Sequence, residues 1–538
     1  MGDVQGTDRE FDAIVIGAGF SGLYALYQLR ERGLRVRVLD RAENVGGTWY
    51  WNRYPGARTD STTDVYQYWF SDELLDEWNW SERFAAQEET ERYLNFVADK
   101  FALRRDIQFK TRVVAADLDA SGDHWTVTTE AGEQLGARFL VMCSGPLTEP
   151  VLPDYPGIDS FAGEWHHTAR WPKEPVTFAN KRVGLFGTGA TGIQVVQTIA
   201  AEVGHLTVFQ RTPTYTIPMK NPKYDDAGRA AQRARYRDLK ARVHQTFSGA
   251  EFDFDARSFF ELDAAARRQR MEELWEDGSL AYWVGSFRDV FTDERASAEF
   301  SEFAREKIRA RIKDPKLAEK LVPTSYGFGT RRVPLEMGYY EAYNRDNVDL
   351  VDLRETPVEC ITPRGVRTTA GEHDLDMLIY ATGFDAGTGA LTHIDIRGRD
   401  GVLLRDAWAD GVRALLGLQV HGFPNMFLCG APLSPAAAFC NVPTCIQQQL
   451  DWITDCIEFV RDRQGHSIEP TAKAEAEWVA HHEEVANAIL VSKANSWYMG
   501  SNIAGKRRSL LAYAGGVDVY RQRCDDIKAG GYREFEVA

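Results

Sequence analysis

Two glycine-rich turns constrain the fold of this chain more than any other feature of its sequence. FDAIVIG is a short apolar run, GAGFSG places Gly17, Gly19 and Gly22 at its end, and LYALYQLRERG then repeats apolar residues at helical spacing. LRVRVLD follows as a second apolar run that ends at Asp40. This order predicts a strand, a tight turn, a helix and a strand, in which the glycines allow backbone to approach a pyrophosphate. A glycine-rich turn without a ligand is the alternative.

The same pattern recurs later in the chain. RVGLFGTGATGIQVVQTIA carries Gly187, Gly189 and Gly192 in the same order, and HLTVFQRT supplies the second strand. Two later apolar runs, DLDMLIYATGFD and FPNMFLCG, end in glycine turns and predict buried strands that bring the chain back to the first unit. Two dinucleotide-binding units on one chain are typical of a flavoprotein that also binds a nicotinamide cofactor.

The residue that ends the second strand predicts which dinucleotide each unit binds. Asp40 can accept hydrogen bonds from ribose hydroxyls in the first unit. Gln210 holds the matching position in the second unit, and Arg211 and Thr212 follow it. A carboxylate there would repel a 2′-phosphate, whereas an amide and a guanidinium would accept one. We therefore expect NADPH rather than NADH in the second unit; the alternative for Arg211 is a solvated surface arginine.

The connector between the two units carries bulky and hydrogen-bonding residues that a plain linker would not need. FAGEWHHTARWP places Phe161, Gly163, His167 and Trp171 at the spacing FxGxxxHxxxW(P/D). VGGTWYWNRYPGARTD, residues 45–60, adds a glycine- and aromatic-rich segment after the first unit. With the two glycine turns, these motifs resemble the type I Baeyer–Villiger monooxygenases, and the resemblance covers nearly the whole chain.

The resemblance implies a reaction and its cofactors. Members of this family are class B flavoprotein monooxygenases that use FAD and NADPH. They insert one oxygen atom of O₂ next to a ketone carbonyl, through a C4a-peroxyflavin, and give an ester or lactone. The expected partners are therefore O₂ and a small-to-medium ketone, and the run FCNVP at 439–443 is more similar to members that oxidise cyclic ketones. In this family the connector couples domain motion to cofactor chemistry, and His167 either shares in the chemistry or serves that coupling alone.

Two catalytic residues are also implied by the resemblance. In FGTRRVPLE, Arg332 matches the family's catalytic arginine, whose permanent positive charge would stabilise anionic oxygen. Asp60 matches the aspartate that pairs with this arginine. Arg331 stands where the family usually has lysine, and we expect it to help bind the 2′-phosphate of NADP. A basic surface turn is the alternative for the two adjacent arginines.

The resemblance and the glycine turns together predict a larger set of contact residues. We expect cofactor contacts from Gly17, Gly19, Ser21, Gly22, Asp40, Gly47, Thr48, Trp49, Trp51, Arg58, Asp60, Tyr66, Val113, Gly187, Thr188, Gly189, Thr191, Gly192, Gln194, Arg211, Thr212, Arg331, Arg332, Val442 and Trp497. Phe439, Cys440 and Val442 are expected to line the substrate pocket. For Trp497 the alternative is an ordinary core tryptophan.

Charge, hydropathy and cysteine content restrict the partners and the compartment that we expect for this chain. The formal net charge of −16 and the lack of a Lys/Arg run argue against a nucleic-acid partner. No apolar run approaches the ~18 residues of a membrane span, and MGDVQGTDRE lacks the features of a secretion signal. The 7 cysteines are scattered and odd in number, so we expect reduced thiols in a cytoplasm-like compartment and no metal site. The chain is also expected to be a monomer. Cys440 and Cys445 have the spacing of a redox pair, but Pro443 argues against the helix that such a pair would need.

The predicted fold class is α/β, with two Rossmann-like dinucleotide-binding domains, for FAD and NADP, and a mostly helical insertion in the NADP domain. Residues 1–147 and 384–538 are expected to form the FAD-binding domain, residues 148–220 and 330–383 the NADP-binding domain, and residues 221–329 the insertion. The apolar stripe of SAEFSEFAREKIRARI in the insertion is interpreted as core packing.

Three other functions are consistent with two dinucleotide units. A related flavin monooxygenase that oxygenates sulfur or nitrogen is the main alternative, although such enzymes normally lack the Trp171-Pro172 end of the connector motif and the Arg332 pair. A flavin-dependent NADPH reductase would need a redox thiol pair elsewhere in the chain. A non-catalytic nucleotide sensor would keep the glycine turns without needing Arg332 and Asp60.

Overall fold

Each predicted glycine turn follows a strand that pairs in parallel with its neighbours in its own sheet in the computed structural model, which describes residues 10–538. The strands are β1 (Phe11–Ile16), β2 (Val36–Leu39), β3 (Ile107–Gln108), β4 (Val113–Leu118), β5 (Trp125–Thr129), β6 (Gln134–Met142), β7 (Glu164–His167), β8 (Arg182–Phe186), β9 (His205–Gln210), β10 (Ile217–Pro218), β11 (Leu335–Glu336), β12 (Val348–Asp352), β13 (Val358–Thr362), β14 (Gly365–Thr368), β15 (Gly371–Asp374), β16 (Met377–Tyr380), β17 (Asp395–Arg397), β18 (Met426–Leu428), β19 (Ile468–Pro470) and β20 (Phe535–Val537).

Helices cover the sheets and fill most of the insertion. They are α1 (Phe20–Glu31), α2 (Thr48–Trp51), α3 (Asp72–Glu77), α4 (Gln87–Lys100), α5 (Ala190–Ile199), α6 (Asp226–Arg242), α7 (Ala264–Asp277), α8 (Ala281–Val284), α9 (Glu294–Arg309), α10 (Pro315–Leu321), α11 (Tyr339–Ala342), α12 (Gly389–Thr392), α13 (Leu404–Ala407), α14 (Val442–Asp462), α15 (Ala472–Asn487) and α16 (Val517–Ala529).

The first sheet has eight strands in the order β17-β4-β5-β6-β1-β2-β3, with β18 paired to β6. β1 lies parallel to both β2 and β6, and all three are mostly buried because helices or other strands cover both faces. β17 and β18 come from the C-terminal part of the chain and complete this sheet. Its strands therefore come from both predicted segments of the FAD-binding domain; residues 1–9 of the first segment lie outside the described residues.

The second sheet has five parallel strands in the order β12-β9-β8-β16-β7. All four residues of β16 are buried, as the predicted run DLDMLIY requires. β7 belongs to the connector motif and lies at the edge of the sheet, where His167 pairs in register with Tyr380. The fold class is thus confirmed: the chain is α/β, with one Rossmann-like sheet for each glycine turn.

The segment 221–329 contains α6 to α10 and, among the described residues, no strand. α9 begins after Asp293, whose side chain accepts hydrogen bonds from the backbone N–H groups of Arg295 and Ala296. Its buried face presents Phe300 and Ile308 to the core beside the second sheet. The helical character of this segment matches its sequence prediction.

Glycine is required at the first position of each turn. Gly17 and Gly187 both have φ of +105°, and a Cβ on either would lie 2.5 Å from a backbone oxygen, that of Cys143 or Ala381. A Cβ on Gly22 would lie 1.7 Å from the Gly17 oxygen. These contacts bring each helix close against its strand and leave the helix N-terminus facing the turn.

Candidate active site

The first glycine turn borders an elongated cavity at the carboxyl ends of the parallel strands, where open α/β sheets bind their ligands. Eleven of the predicted cofactor residues line it: Gly17, Gly19, Ser21, Asp40, Gly47, Thr48, Trp49, Trp51, Tyr66, Val113 and Val442. Gly22 is absent from the lining because it packs beneath Gly17. A Cβ on Gly47 would lie 2.8 Å from the Gly19 Cα, so the two glycine segments form a cradle that side chains would fill.

Asp40 lies in the wall of this first cavity and is 8% exposed. Its carboxylate accepts hydrogen bonds from the backbone N–H groups of Ala18, at 2.6 Å, and Ala42, at 2.7 Å. Burial raises the pKa of the Asp40 carboxyl, and these two hydrogen bonds oppose that change. A carboxylate has about four acceptor positions, so Asp40 can still accept from ribose hydroxyls.

Three arginines of the first cavity were missed by sequence reasoning. Arg41, Arg112 and Arg170 line it, and the guanidinium carbons of Arg41 and Arg170 lie 5.4 and 4.8 Å from the Trp51 ring centroid. Burial lowers the pKa of Arg170 to about 10, which leaves it charged at neutral pH. Arg41 directly follows Asp40, and Arg170 lies inside the connector motif, so both were near recognised signals. Their charges suit a pyrophosphate.

The second glycine turn leaves room for a ligand beside its helix. A Cβ on Gly189 would meet no atom within 4 Å, whereas one on Gly192 would lie 2.1 Å from the Gly187 oxygen. The Thr188 hydroxyl donates to the backbone oxygen of Thr212 at 2.9 Å and ties this turn to the end of β9. The N-terminus of α5 therefore faces an open space bounded by Gly189.

Arg211 and Arg331 form a pair of cations without a carboxylate partner in the described part of the chain. Arg211 is exposed, and the Arg331 guanidinium lies 4.6 Å from the Tyr326 ring centroid. Burial lowers the pKa of Arg331, and the charge of Arg211 lowers it further. The Nε atom of Arg331 is buried and has no hydrogen-bond partner. Two neighbouring cations with unused donors form a site suited to a phosphate.

Gln210 does not contribute to that site as its sequence position suggested. Its side chain is 0% exposed, and Nε2 donates to the backbone oxygen of Lys320 at 2.7 Å. The expectation that the Gln210 amide would accept the phosphate is therefore wrong, because packing against the end of α10 buries it. The guanidinium of Arg211 is the group that faces outward.

The segment 45–60 links the two glycine turns. Tyr54 donates to Oε1 of Gln194 at 2.8 Å, and Nε2 of Gln194 donates to the backbone oxygen of Arg58 at 3.2 Å. The Arg58 guanidinium lies 3.5 Å from the Glu82 carboxylate, and its Nε is buried without a partner. Since Gly47 packs on the first turn and Gln194 belongs to α5, this segment spans the space between the two units. Thr191 lies in the first turn of the same helix.

Asp60 and Arg332 form a largely buried ion pair. Nη2 of Arg332 donates to Oδ2 of Asp60 at 2.7 Å, and the backbone N–H of Leu335 donates to Oδ1 at 3.3 Å. The Asp60 side chain is 6% exposed and that of Arg332 is 32% exposed. Burial alone would lower the pKa of Arg332, but the Asp60 carboxylate outweighs burial and raises it. Burial raises the pKa of Asp60, and the charge and hydrogen bond of Arg332 oppose that rise.

Arg332 faces a second cavity of about 410 Å³. Phe439 and Cys440 line this cavity as predicted, whereas Val442 lines only the first one. The helical insertion supplies much of the remaining wall, including Trp283, whose ring centroid lies 5.5 Å from the Arg332 guanidinium carbon. The ion pair thus lies at the inner wall of a mostly apolar chamber. This chamber is next to the loop that borders the first cavity.

His167 of the connector motif lines neither cavity and is held by contacts with the surrounding backbone and with Thr382. The His167 ring is 5% exposed, its Nδ1 accepts from the backbone N–H of Ala169 at 3.1 Å, and its Nε2 lies 3.4 Å from the Thr382 hydroxyl. Burial lowers the pKa of His167 to about 4, so the ring is neutral at pH 7. Trp171 stacks on Phe178 with centroids 6.3 Å apart.

The two other motif residues shape the start of the connector. A Cβ on Gly163 would lie 2.6 Å from the Asp376 backbone oxygen and 2.6 Å from the Phe161 ring, so a larger residue would not fit there. Phe161 packs against the cluster that contains Ile361 and Tyr380. The motif therefore joins β7 to the glycine turn after β16, and Arg170 within it reaches the first cavity.

Trp497 lies in a short helical turn and lines neither cavity. Its ring centroid is 4.4 Å from that of Tyr498. Tyr498 is fully buried, its hydroxyl has no hydrogen-bond partner, and its pKa is raised by burial and lowered in part by the charge of Arg332. The segment is therefore next to the ion pair, with Tyr498 rather than Trp497 as the neighbour of Arg332.

The expectation that all cysteines are reduced is wrong for one pair. Cys440 and Cys445 form a disulfide with their Cα atoms 6.6 Å apart, and the other five thiols are free. Pro443 does not prevent a helix here, because α14 begins at Val442 and proline is tolerated in the first turn of a helix, where its missing N–H is not needed. The disulfide joins the cavity loop to the first turn of that helix.

Metal-ion sites and membrane-spanning helices are both absent from residues 10–538. In this range no group of three or more His, Cys, Asp or Glu side chains could hold a metal ion. None of its helices is long and apolar enough to cross a membrane.

Comparison with known proteins agrees with this geometry. A flavin-binding monooxygenase-like family matches residues 12–221. Acetone monooxygenase (methyl acetate-forming) from Gordonia sp. (strain TY-5) is 52% identical over 528 residues, which are 98% of this chain and 99% of that protein. A Baeyer–Villiger monooxygenase from Pseudooceanicola batsensis is 41% identical over 526 residues, 97% of this chain and 95% of that one.

The crystal structure of OTEMO in complex with FAD and NADP (form 3) matches with a TM-score of 0.96 and 40% identity, over 99% of this chain and 100% of that chain. Identity at this level along the whole chain, together with the two dinucleotide units, the connector motif and the Asp60–Arg332 pair, shows one family. This chain belongs to the Baeyer–Villiger monooxygenases, a group of flavin-binding monooxygenases.

Proposed function

We propose that the chain binds FAD in the first cavity and NADPH at the second glycine turn, and that it inserts one oxygen atom of O₂ beside the carbonyl of a ketone held in the second cavity. The product is an ester or a lactone. The single observation that carries this assignment is the buried Asp60–Arg332 pair, which stands where the ketone chamber meets the loop next to the first cavity. Oxygenation of sulfur or nitrogen is not favoured, because relatives of higher identity than the phenazine N-monooxygenase, at 39%, are named for ketone oxidation, among them the methyl acetate-forming acetone monooxygenase at 52%.

The residues of both turns fit their cofactors. The cradle of Gly17, Gly19 and Gly47 would admit a pyrophosphate, and Asp40 would accept from the ribose of FAD. Arg211 and Arg331 would bind the 2′-phosphate of NADP. A relative of 40% identity holds both cofactors in its solved structure. The bound flavin supplies the electron transfer and the activation of O₂, and the protein supplies position and charge.

Arg332 is proposed to stabilise the negative charge that develops on the substrate carbonyl oxygen. Its charge is permanent, and Asp60 fixes its direction through the hydrogen bond at 2.7 Å. The second Asp60 oxygen accepts from Leu335, so the carboxylate is held by the backbone on one side and the guanidinium on the other. Phe439 and Trp283 make the wall beside Arg332 apolar, which strengthens the electrostatic effect of its charge relative to bulk water.

We expect Arg211→Ala to raise KM for NADPH by at least about tenfold and to leave KM for NADH nearly unchanged. A charged hydrogen bond contributes about 1.5–3 kcal/mol, and only NADPH has the 2′-phosphate that would use it. Steady-state kinetics with both cofactors measures the two values. Arg182→Ala, which removes an exposed arginine paired with Asp376, is the matched control. An equal rise for both cofactors would remove Arg211 from the phosphate site.

The ketone is proposed to be of medium size, cyclic ketones included. A cavity of about 410 Å³ falls in the ~300–1,000 Å³ range of pockets for drug-sized ligands, well above the needs of acetone. We expect kcat/KM to rise about fourfold for each CH₂ that the ketone adds, until the chamber is full. Product analysis of a series from acetone through cyclopentanone to larger ring ketones measures this trend. A maximum at acetone would contradict the size assignment while leaving the reaction in place.

Two smaller proposals rest on the sequence alone. They are that the chain acts as a monomer and that it works in the cytoplasm.

A further inference from the structure

The ketone cavity has a polar group on its solvent side that the proposed reaction does not use. Arg288 lines the cavity and is exposed, and Val519, which also lines it, is 41% exposed. The Arg332 side of the cavity is closed off, because the partner of Arg332, Asp60, is 6% exposed. The cavity therefore runs from a buried cation to a second cation at its mouth.

Arg288 has no ion-pair partner among the described residues, in contrast to Arg332. Its guanidinium carbon lies 5.7 Å from the ring centroid of Phe247, another residue of the cavity wall. A guanidinium that stacks on an aromatic ring keeps its edge N–H groups free for a planar anion. In a chain with a formal net charge of −16, an arginine without a carboxylate at a cavity mouth is available to a ligand.

A hydrogen-bonded pair also lines this cavity. His481 Nε2 and the Tyr513 hydroxyl are 3.0 Å apart, and both residues line the cavity. Burial lowers the pKa of His481, and the charge of Arg523 lowers it further. Burial raises the pKa of Tyr513. The pair thus adds hydrogen-bonding groups and no carboxylate to the cavity lining.

The carboxylates near this pair and near Phe247, among them Asp518 and Asp253, form no ion pair with Arg288 in residues 10–538. The charge of Asp518 favours a higher pKa for Tyr513, and the charge of Glu484 favours a higher pKa for His481. Neither carboxylate lines the cavity. Within the cavity wall the charged side chains are Arg288 and Arg332. A ligand that fills the chamber therefore meets positive charge at two positions and negative charge at none.

We propose that the ketone substrate carries a carboxylate, which Arg288 binds at the cavity mouth with help from the His481–Tyr513 pair, while the carbonyl lies at Arg332. This inference rests on the proposed function and specifies its substrate class as a keto acid. The carboxylate would fix the depth of the ketone in the chamber. It accounts for a cavity that is larger than a simple ketone needs and polar at its outer end.

The test uses straight-chain keto acids of increasing length, with a methyl ketone at one end and a carboxylate at the other. Each acid is compared with its own methyl ester. At the chain length that spans the cavity, the purified holoenzyme is expected to favour the acid over its ester by about tenfold or more in kcat/KM. Arg288→Gln should remove that preference through KM for the acid, and Arg288→Lys should keep part of it. Arg237→Gln, an exposed arginine of α6 outside the cavity, is the matched control and should leave the acid-to-ester ratio as it is.

The outcomes separate this inference from the reaction itself. An acid-to-ester ratio near one at every length, or the same ratio in Arg288→Gln as in the unaltered protein, would overturn the carboxylate site while neutral ketones still give esters. Failure to oxygenate any ketone, neutral or acidic, would overturn the proposed function and this inference together.

Discussion

Replacement of Arg332 by alanine should leave reduction of the bound flavin by NADPH in place and abolish ester formation. Arg332 is the cation that faces the ketone chamber, and Asp60 holds it at 2.7 Å. Loss of one such charge-stabilising donor costs about 2.7–4 kcal/mol in the transition state, or roughly 10²–10³ in kcat, and the loss of a full charge in an apolar chamber should exceed this. Flavin absorbance under anaerobic conditions follows reduction, and gas chromatography follows the ester.

Two further variants define what Arg332 contributes. Arg332→Lys keeps the charge but loses the planar fork, so it should recover a small part of the rate. Arg331→Ala removes the neighbouring cation, which is directed at Tyr326 instead of the chamber, and should weaken NADPH binding without abolishing oxygenation. Full ester formation by Arg332→Ala would show that the charge is not needed and would remove Arg332 from its assigned role.

Asp60→Asn is expected to have the second largest effect, on both activity and stability. The change removes the carboxylate from a buried pair and leaves the Arg332 charge without its partner, which costs about 3–5 kcal/mol. The guanidinium then loses its fixed direction, so oxygenation should fall by at least about a hundredfold. Thermal unfolding of the holoenzyme and the rate of ester formation measure the two effects.

A matched control for this variant is Asp376→Asn. Asp376 pairs with Arg182 at 2.8 Å, but the two side chains are 42% and 48% exposed. An exposed pair contributes about 0–1 kcal/mol, so the control should unfold close to the unaltered protein and keep its activity. If Asp60→Asn behaved like this control, the buried pair would not be the feature that positions the charge.

Much of the fold could be predicted because its signals are local. The turns at Gly17 and Gly187 need positive φ and contact a backbone oxygen, so glycine spacing alone locates the strands and helices around them. The buried run of β16 was likewise readable from MLIY. Asp60 and Arg332 were assigned through family resemblance, since no local pattern brings together residues so far apart in the chain.

What the sequence did not predict depends on contacts between distant segments. Arg41 and Arg170 meet on Trp51 only after the connector folds back on the first unit. Trp283 and Arg288 of the helical insertion line the ketone chamber, and no sequence motif marked either residue. Gln210 is buried by α10, a helix that comes much later in the chain. Each case is a tertiary contact with no counterpart in strand or helix spacing.

The most direct test of the central claim is the mass of the product formed from a ketone under ¹⁸O₂ with NADPH and the FAD-loaded protein. We expect an ester or lactone heavier than the ketone by one ¹⁸O atom, formed at the expense of NADPH and absent with Arg332→Ala. Unchanged ketone with NADPH consumed and peroxide released, across cyclic, aromatic and keto-acid substrates, would contradict it.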